Sequence, residues 1–138
     1  METVAYDQAM IDELDATWRA EVGQSDAPLV NDVVGNEISE YLRQAVDDSS
    51  GAILEIFVMD ARGLNVAASG ATSDYWQGDE AKFSETYGVG SGASHISDVE
   101  FDESTQSYQG QVSMTITDPL SGEAVGAITF GVDPQAVL

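Results

Sequence analysis

The hydrophobic pattern of this chain changes its period once, near Gly51, and that change constrains the fold more than any other feature. Before it, apolar residues recur at helical spacing. Over residues 2–22 they fall at Val4, Ile11, Leu14, Trp18 and Val22, in steps of seven, three, four and four, which is one stripe of a helix. Asp7, Asp12, Asp15 and Glu21 lie off that stripe, and Gly23 is a natural stop. Ser25 or Asp26 is expected to cap a second helix, with Pro28 in its first turn. Its stripe runs through Val30, Val34, Ile38, Tyr41, Leu42, Ala45 and Val46, and the cluster DDSSG at 47–51 ends it. Gly35 inside this helix costs about 1 kcal/mol relative to alanine and marks a place for a kink or a close approach.

After Gly51 the signals are those of strands. Residues 52–60 (AILEIFVMD) form a β-branched and aromatic run bounded by turn residues. Asp60 and Gly63 frame a type I turn into a second short strand, 64–69. Residues 70–78 read as a loop, and Asp79 is placed to cap a short helix reaching about residue 87. Three more strands follow, near 95–101, 108–117 and 123–133. In the 108–117 strand Val112, Met114 and Ile116 alternate with Ser113, Thr115 and Thr117. Helices gathered early and antiparallel strands late predict an α+β fold. The expected architecture is a five-stranded antiparallel sheet, with the two N-terminal helices on one face and the loop plus short helix on the other. One domain is expected over 1–138, with helices in 1–50 and the sheet core in 52–133.

Charge narrows the function. Only four residues are Lys or Arg against 25 Asp or Glu, for a formal net charge of -21. The four cations, Arg19, Arg43, Arg62 and Lys82, are scattered, so a phosphate-reading surface cannot be assembled and nucleic acid is excluded as a partner. Such acidity fits a protein adapted to salt, of halophilic or marine habit, or a site for cations. Cysteine is absent, which removes disulfides and thiolate chemistry. The longest apolar run, 53–59, is broken by Glu55 and is far shorter than the roughly 18–20 residues of a membrane span.

Three stretches of the strand region resemble the PAS-like extracellular sensor domains of the PDC or Cache family. FVMDARGLNVAAS (57–69) is similar to that family's opening hairpin, TSDYWQGDEAKF (72–83) to its ligand-side loop and short helix, and VSMTITDPLSGEAVGAITFGVD (112–133) to its closing hairpin. The resemblance implies a non-enzymatic module that holds a small molecule between the sheet and the loop–helix segment, in the periplasm or outside the cell, with any signal peptide removed. It also implies a membrane receptor or other signalling partner. Family members sit between membrane spans, whereas no span follows Leu138, so either an excised receptor module or a free-standing form is expected.

Within that frame, Tyr75 and Trp76 are adjacent aromatics in a polar loop, able to give large contact area at low entropic cost. Gln77 both donates and accepts hydrogen bonds. Asp79 and Lys82 lie one helical turn apart. The hydroxyls of Ser113, Thr115 and Thr117 point to the loop side if Val112, Met114 and Ile116 face the helices. Asp118 follows at the hairpin. These nine residues are the expected ligand contacts, for an amino acid or another small polar, carboxylate-like ligand. Neither a cofactor nor a metal ligand set is implied: His95 is the only histidine, and the acidic stretch 98–103 lacks Ca²⁺-loop spacing. Two other readings stay open, a divalent-cation-binding acidic sensor and a small hydrolase or isomerase on the same scaffold. The recurrence Val4, Ile11, Trp18 offers a seam for a homodimer through the first helix.

Overall fold

A computed structural model of the chain describes residues 6–72, 74–102 and 106–137. Among these residues five helices and six strands run in the order α1 (Gln8–Glu21), α2 (Pro28–Val34), α3 (Glu37–Asp48), β1 (Ile53–Asp60), β2 (Asn65–Ala68), α4 (Ala81–Ser84), β3 (Ser94–Ile96), β4 (Glu100–Asp102), β5 (Ser107–Thr117), β6 (Ala124–Val132) and α5 (Pro134–Val137). All strands pair antiparallel in the order β2-β1-β6-β5-β3, with β4 also on β5. This is the mixed α+β architecture expected, an open antiparallel sheet with helices, and it is PAS-like.

Register sorts the strands into two faces. Phe57, Thr129 and Ser113 lie side by side, as do Met59, Ala127 and Thr115. On the opposite face Ile56, Phe130 and Val112 form a row, and Val58, Ile128 and Met114 another. The second face receives α3, through Leu42 with Ala45 and Val46. The first carries the larger core, where Phe57, Met59 and Ala127 meet Ile11, Trp18, Val30, Val33, Tyr75 and Phe83.

Here the structure corrects the sequence reading. Helices α1 and α2 join the loop's side of the sheet, and α3 covers the other. The expected second helix is split at Gly35 and Asn36. A Cβ on Gly35 would stand 2.6 Å from the Asn31 carbonyl oxygen. Asn36 then restarts the chain: its Oδ1 accepts from the Ser39 N–H at 2.9 Å, and its amide donates to the Val66 carbonyl at 3.0 Å. Asn36 therefore turns α3 away from α2 and ties the turn to β2. Ser39, fully buried, donates to the Val33 carbonyl and accepts from the Ala68 N–H. Neither Ser25 nor Asp26 caps α2; Ala27 holds the cap position, and Glu21 reaches over from α1 to accept the Val30 N–H.

The expected third strand is also two. Ser97 interrupts it, bonding through its backbone N–H and its Oγ to Gln111 of β5, and pairing with β5 resumes at Glu100 in β4. The seam offered to a second copy is taken: Ile11 and Trp18 are buried in the core, and Val4 lies outside the described residues.

Replacing Asn36 by alanine removes the α3 cap and the tie to β2 together. A loss of about 1–2 kcal/mol is expected in a denaturant titration. A change within a few tenths would show that the helix break does not depend on this side chain.

Candidate functional site

Residues 70–72 and 74–80 form a flap over the first face of the sheet, with little regular structure to satisfy its backbone. It borrows partners instead. The Asn65 N–H donates to the Tyr75 carbonyl and the Gln77 N–H to the Gly63 carbonyl, so the flap runs beside the start of β2. Asn65 is fully buried, and its amide donates to the Asp74 carbonyl at 3.0 Å. From the other side, Asp15 of α1 accepts the N–H groups of both Tyr75 and Trp76 on one oxygen, at 2.9 and 3.0 Å. Its second oxygen takes Arg19 at 2.7 Å, and Arg19 also stands 3.9 Å from Asp74. Trp18 donates its indole N–H to the Thr72 carbonyl at 2.8 Å and stacks on Tyr75 at 5.3 Å between ring centres.

Beyond the flap a cleft of about 450 Å³ opens between the first turn of α4 and strands β3, β4 and β5. This lies within the size range of small-molecule sites. Glu80 and Lys82 stand on the α4 side, His95, Asp98, Glu100 and Asp102 on the β3–β4 side, and Gln109 with Gln111 on β5. The Lys82 ammonium donates to the Gln77 Oε1 at 2.8 Å, lies 3.5 Å from Glu80, and sits 5.3 Å from the centre of the Phe57 ring. Beneath Gln109 lies Glu55 of β1, 6% exposed, which accepts from the Gln109 amide at 2.7 Å. Alternation along β1 sets this carboxyl on the same face as Phe57 and Met59, the cleft's side of the sheet.

Burial pushes the Glu55 carboxyl above its ordinary value, the hydrogen bond from Gln109 opposes this, and the negative charge of Asp102 adds to the rise. Burial likewise raises Glu80, against the pull of Lys82, and raises Asp74, with Asp15 adding to it. Burial carries the Tyr75 phenol up to about 12.

Of the nine residues singled out in the sequence, Lys82 lines the cleft. Gln77 is buried and touches the cleft through Lys82. Tyr75, 1% exposed, belongs to the core with Trp18. Trp76 donates its indole N–H to the Arg62 carbonyl at 2.8 Å and packs on the core's edge. Asp79 is exposed, and Glu80 rather than Asp79 occupies the cap position of α4, with no side-chain cap bond. Ser113 does face the flap's side, but it is fully buried and shares a 2.8 Å hydrogen bond with Thr129. Thr115 has a buried hydroxyl without a partner among the described residues. Thr117 reaches Ser91, and Asp118 accepts the Leu120 N–H inside the β5–β6 hairpin.

The sequence reading passed over Asp15, Asn65, Glu55, Gln109 and Gln111. Extending the alternation of β5 two steps back from Ser113 reaches Gln111 and Gln109 on the same face, a legible signal. Asp15 carries none, because its helix position is that of a solvated residue.

Neither a known protein family nor a curated protein matches the sequence. Solved structures do. The sensor domain of the histidine kinase DctB of V. cholerae matches with a TM-score of 0.56 at 13% identity, over 85% of this chain and 42% of that one. The ligand-binding domain of the Campylobacter jejuni chemoreceptor Tlp3, in complex with 4-methylisoleucine, matches with 0.57 at 9% identity, over 90% and 50%. That of the Pseudomonas fluorescens chemoreceptor CtaA, in complex with L-leucine, matches with 0.52 at 13% identity, over 94% and 49%. The fold is that of the PDC or Cache-like sensor domains. This chain spans about half the length of the Cache-like domains it matches. No helix among the described residues is long and apolar enough to cross a membrane. Among those residues, too, no group of three or more His, Asp or Glu is placed to hold a metal ion.

Two expectations follow. Asp15→Ala leaves two flap N–H groups without an acceptor and should cost about 2–4 kcal/mol in chemical denaturation; a loss below about 0.5 kcal/mol would detach the flap from α1. Glu55 binds its proton more tightly folded than unfolded. Its contribution to stability is therefore full below its ordinary value of 4.5 and declines as pH rises through the raised folded value. Glu55→Gln, which keeps an acceptor for Gln109, should flatten the fall in stability above pH 4.5; an unchanged slope in urea melts across that range would assign it to other groups.

Proposed function

We propose that this chain is a non-enzymatic sensor module that holds a small polar molecule, an amino acid or a similar metabolite, in the cleft between α4 and strands β3 to β5. The observation that carries this reading is the cleft itself. It is of small-molecule size, it lies on the flap's face of a Cache-like sheet, and it presents both an ammonium and carboxylates. Matched domains of the same fold were solved with 4-methylisoleucine and L-leucine, which supports a ligand of that size.

In this reading Lys82 is a direct contact. Tyr75, Trp76 and Gln77 act by setting the flap, and Ser113, Thr115, Thr117 and Asp118 hold the sheet and its hairpin. A ligand that changes how Lys82 meets Gln77 shifts the flap, and the flap is bonded to α1 through Asp15 and Trp18. Differential affinity for two flap positions then reaches the N-terminal helix. The module works outside the cytoplasm, with a receptor or other signalling protein as its partner.

Ala81 is exposed, lines the cleft and opens α4. Protein purified without added ligand and examined by native mass spectrometry should carry a bound small molecule. Ala81→Trp should arrive without it while melting as the parent does. A bound molecule retained by Ala81→Trp would place the site elsewhere.

A further inference from the structure

Helix α3 covers only part of its face of the sheet. It sits on β1 and β2, and its apolar side reaches as far as Ile128 and Phe130 of β6. Beyond β6 the face is open. Ile96, Phe101, Tyr108 and Met114, set on this face by the pairing of β3 and β4 with β5, are 42% to 74% exposed. The flank of α3 above them is apolar too. Ser39 and Arg43 bond toward β2 and α2, through the Ala68 N–H and the Val34 carbonyl. At about 100° per residue, Ile38 and Tyr41 then stand on the opposite flank, and both are exposed. Six side chains of this size offer on the order of 800 Å², which is what each partner buries in a standard stable interface.

Charge gives a second and independent observation. The chain carries 25 acids in 138 residues, yet no strand position on this face from β3 to β6 is Asp or Glu. Glu100 and Asp102 flank Phe101 and alternate onto the other face. A partner recruited by charge would need carboxylates to meet inside the contact, and the patch has none. An identical apolar face needs none, because sheets pack face to face through apolar side chains and the cores of homodimer interfaces are depleted of charge. Repulsion between two chains of net charge -21 remains at the periphery, where salt screens it.

We infer that a second copy of this chain covers the open face, the two sheets packing through their β3–β5 regions about a two-fold axis, with the Ile38–Tyr41 flank of each α3 bounding the contact. This stands apart from the ligand reading, since the flap, Lys82 and Gln109 lie on the other face of the sheet. It also differs from a seam along α1, whose Ile11 and Trp18 are spent in the core.

Sedimentation equilibrium of the full chain in about 0.1 M and about 1 M sodium chloride tests this, since screening lengths there are about 10 Å and about 3 Å. A dimer should form, and its Kd should fall about tenfold or more with the added salt. Met114→Glu and Tyr108→Glu, both at exposed positions, should each raise Kd about a hundredfold by setting a carboxylate in a desolvated contact. Leu120→Glu adds the same charge at the exposed β5–β6 hairpin and should leave Kd within about twofold. Should either strand variant fail to fold by circular dichroism, Tyr108→Ser, which only removes the ring, should still raise Kd about tenfold. A chain still monomeric at about 0.1 mM in the higher salt overturns the inference. So does a dimer that loosens as salt rises, and so does one that the Met114 and Tyr108 variants leave intact. An equal loss with Leu120→Glu would trace the effect to net charge and overturn it as well.

Discussion

One carboxylate oxygen of Asp15 receives two consecutive backbone N–H groups of the flap, and the roof of the cleft hangs from that bond pair. A segment with little secondary structure of its own must find partners for its buried amides, and here they come from a helix some sixty residues earlier in the chain. The cost of burying an acid is met by the two N–H donors and by Arg19, one of only four cations in the protein. Asn65 secures the same segment from the sheet's side, and Trp18 wedges it through the Thr72 carbonyl and the Tyr75 ring. With the flap held at both edges, Gln77 stands where it can hold Lys82 at the cleft's mouth.

The same economy of cations shapes the cleft. A protein with so few positive side chains cannot pair most of its acids, so some are buried with their proton affinity raised and others are left to solvent. Glu55 shows the first course, held beneath Gln109 with its proton affinity raised. Asp98 and Glu100 show the second, exposed along the rim. The acidic wall is therefore a consequence of composition, but its placement beside the buried Gln109 is not.

How much of this was legible in the sequence differs residue by residue. The period change at Gly51, the turn at Asp60–Gly63 and the alternation of 112–117 placed strands and helices within a few residues of where they lie, because those signals are local. The break at Gly35 and Asn36 was marked only as a kink, since the tie from Asn36 to Val66 depends on β2 lying across from it. The aromatic pair of the flap drew attention as ligand contacts, yet Tyr75 lies against Trp18, because a ring on a loop packs on whatever the tertiary fold brings over it. Ser113 was rightly placed on the flap's face, but its neighbour across the ladder, Thr129, takes its hydroxyl.

Sequence alone determined the class of fold, the order of its elements and the polarity of the strand faces, since periodicity is a sum over neighbours along the chain. Tertiary structure decided which face each helix covers, which acid is buried, and which side chains meet at the cleft. Those outcomes turn on contacts between residues far apart in the chain, and Asp15, Glu55 and Gln109 acquire their roles only once β1, β5 and the flap have been brought against one another.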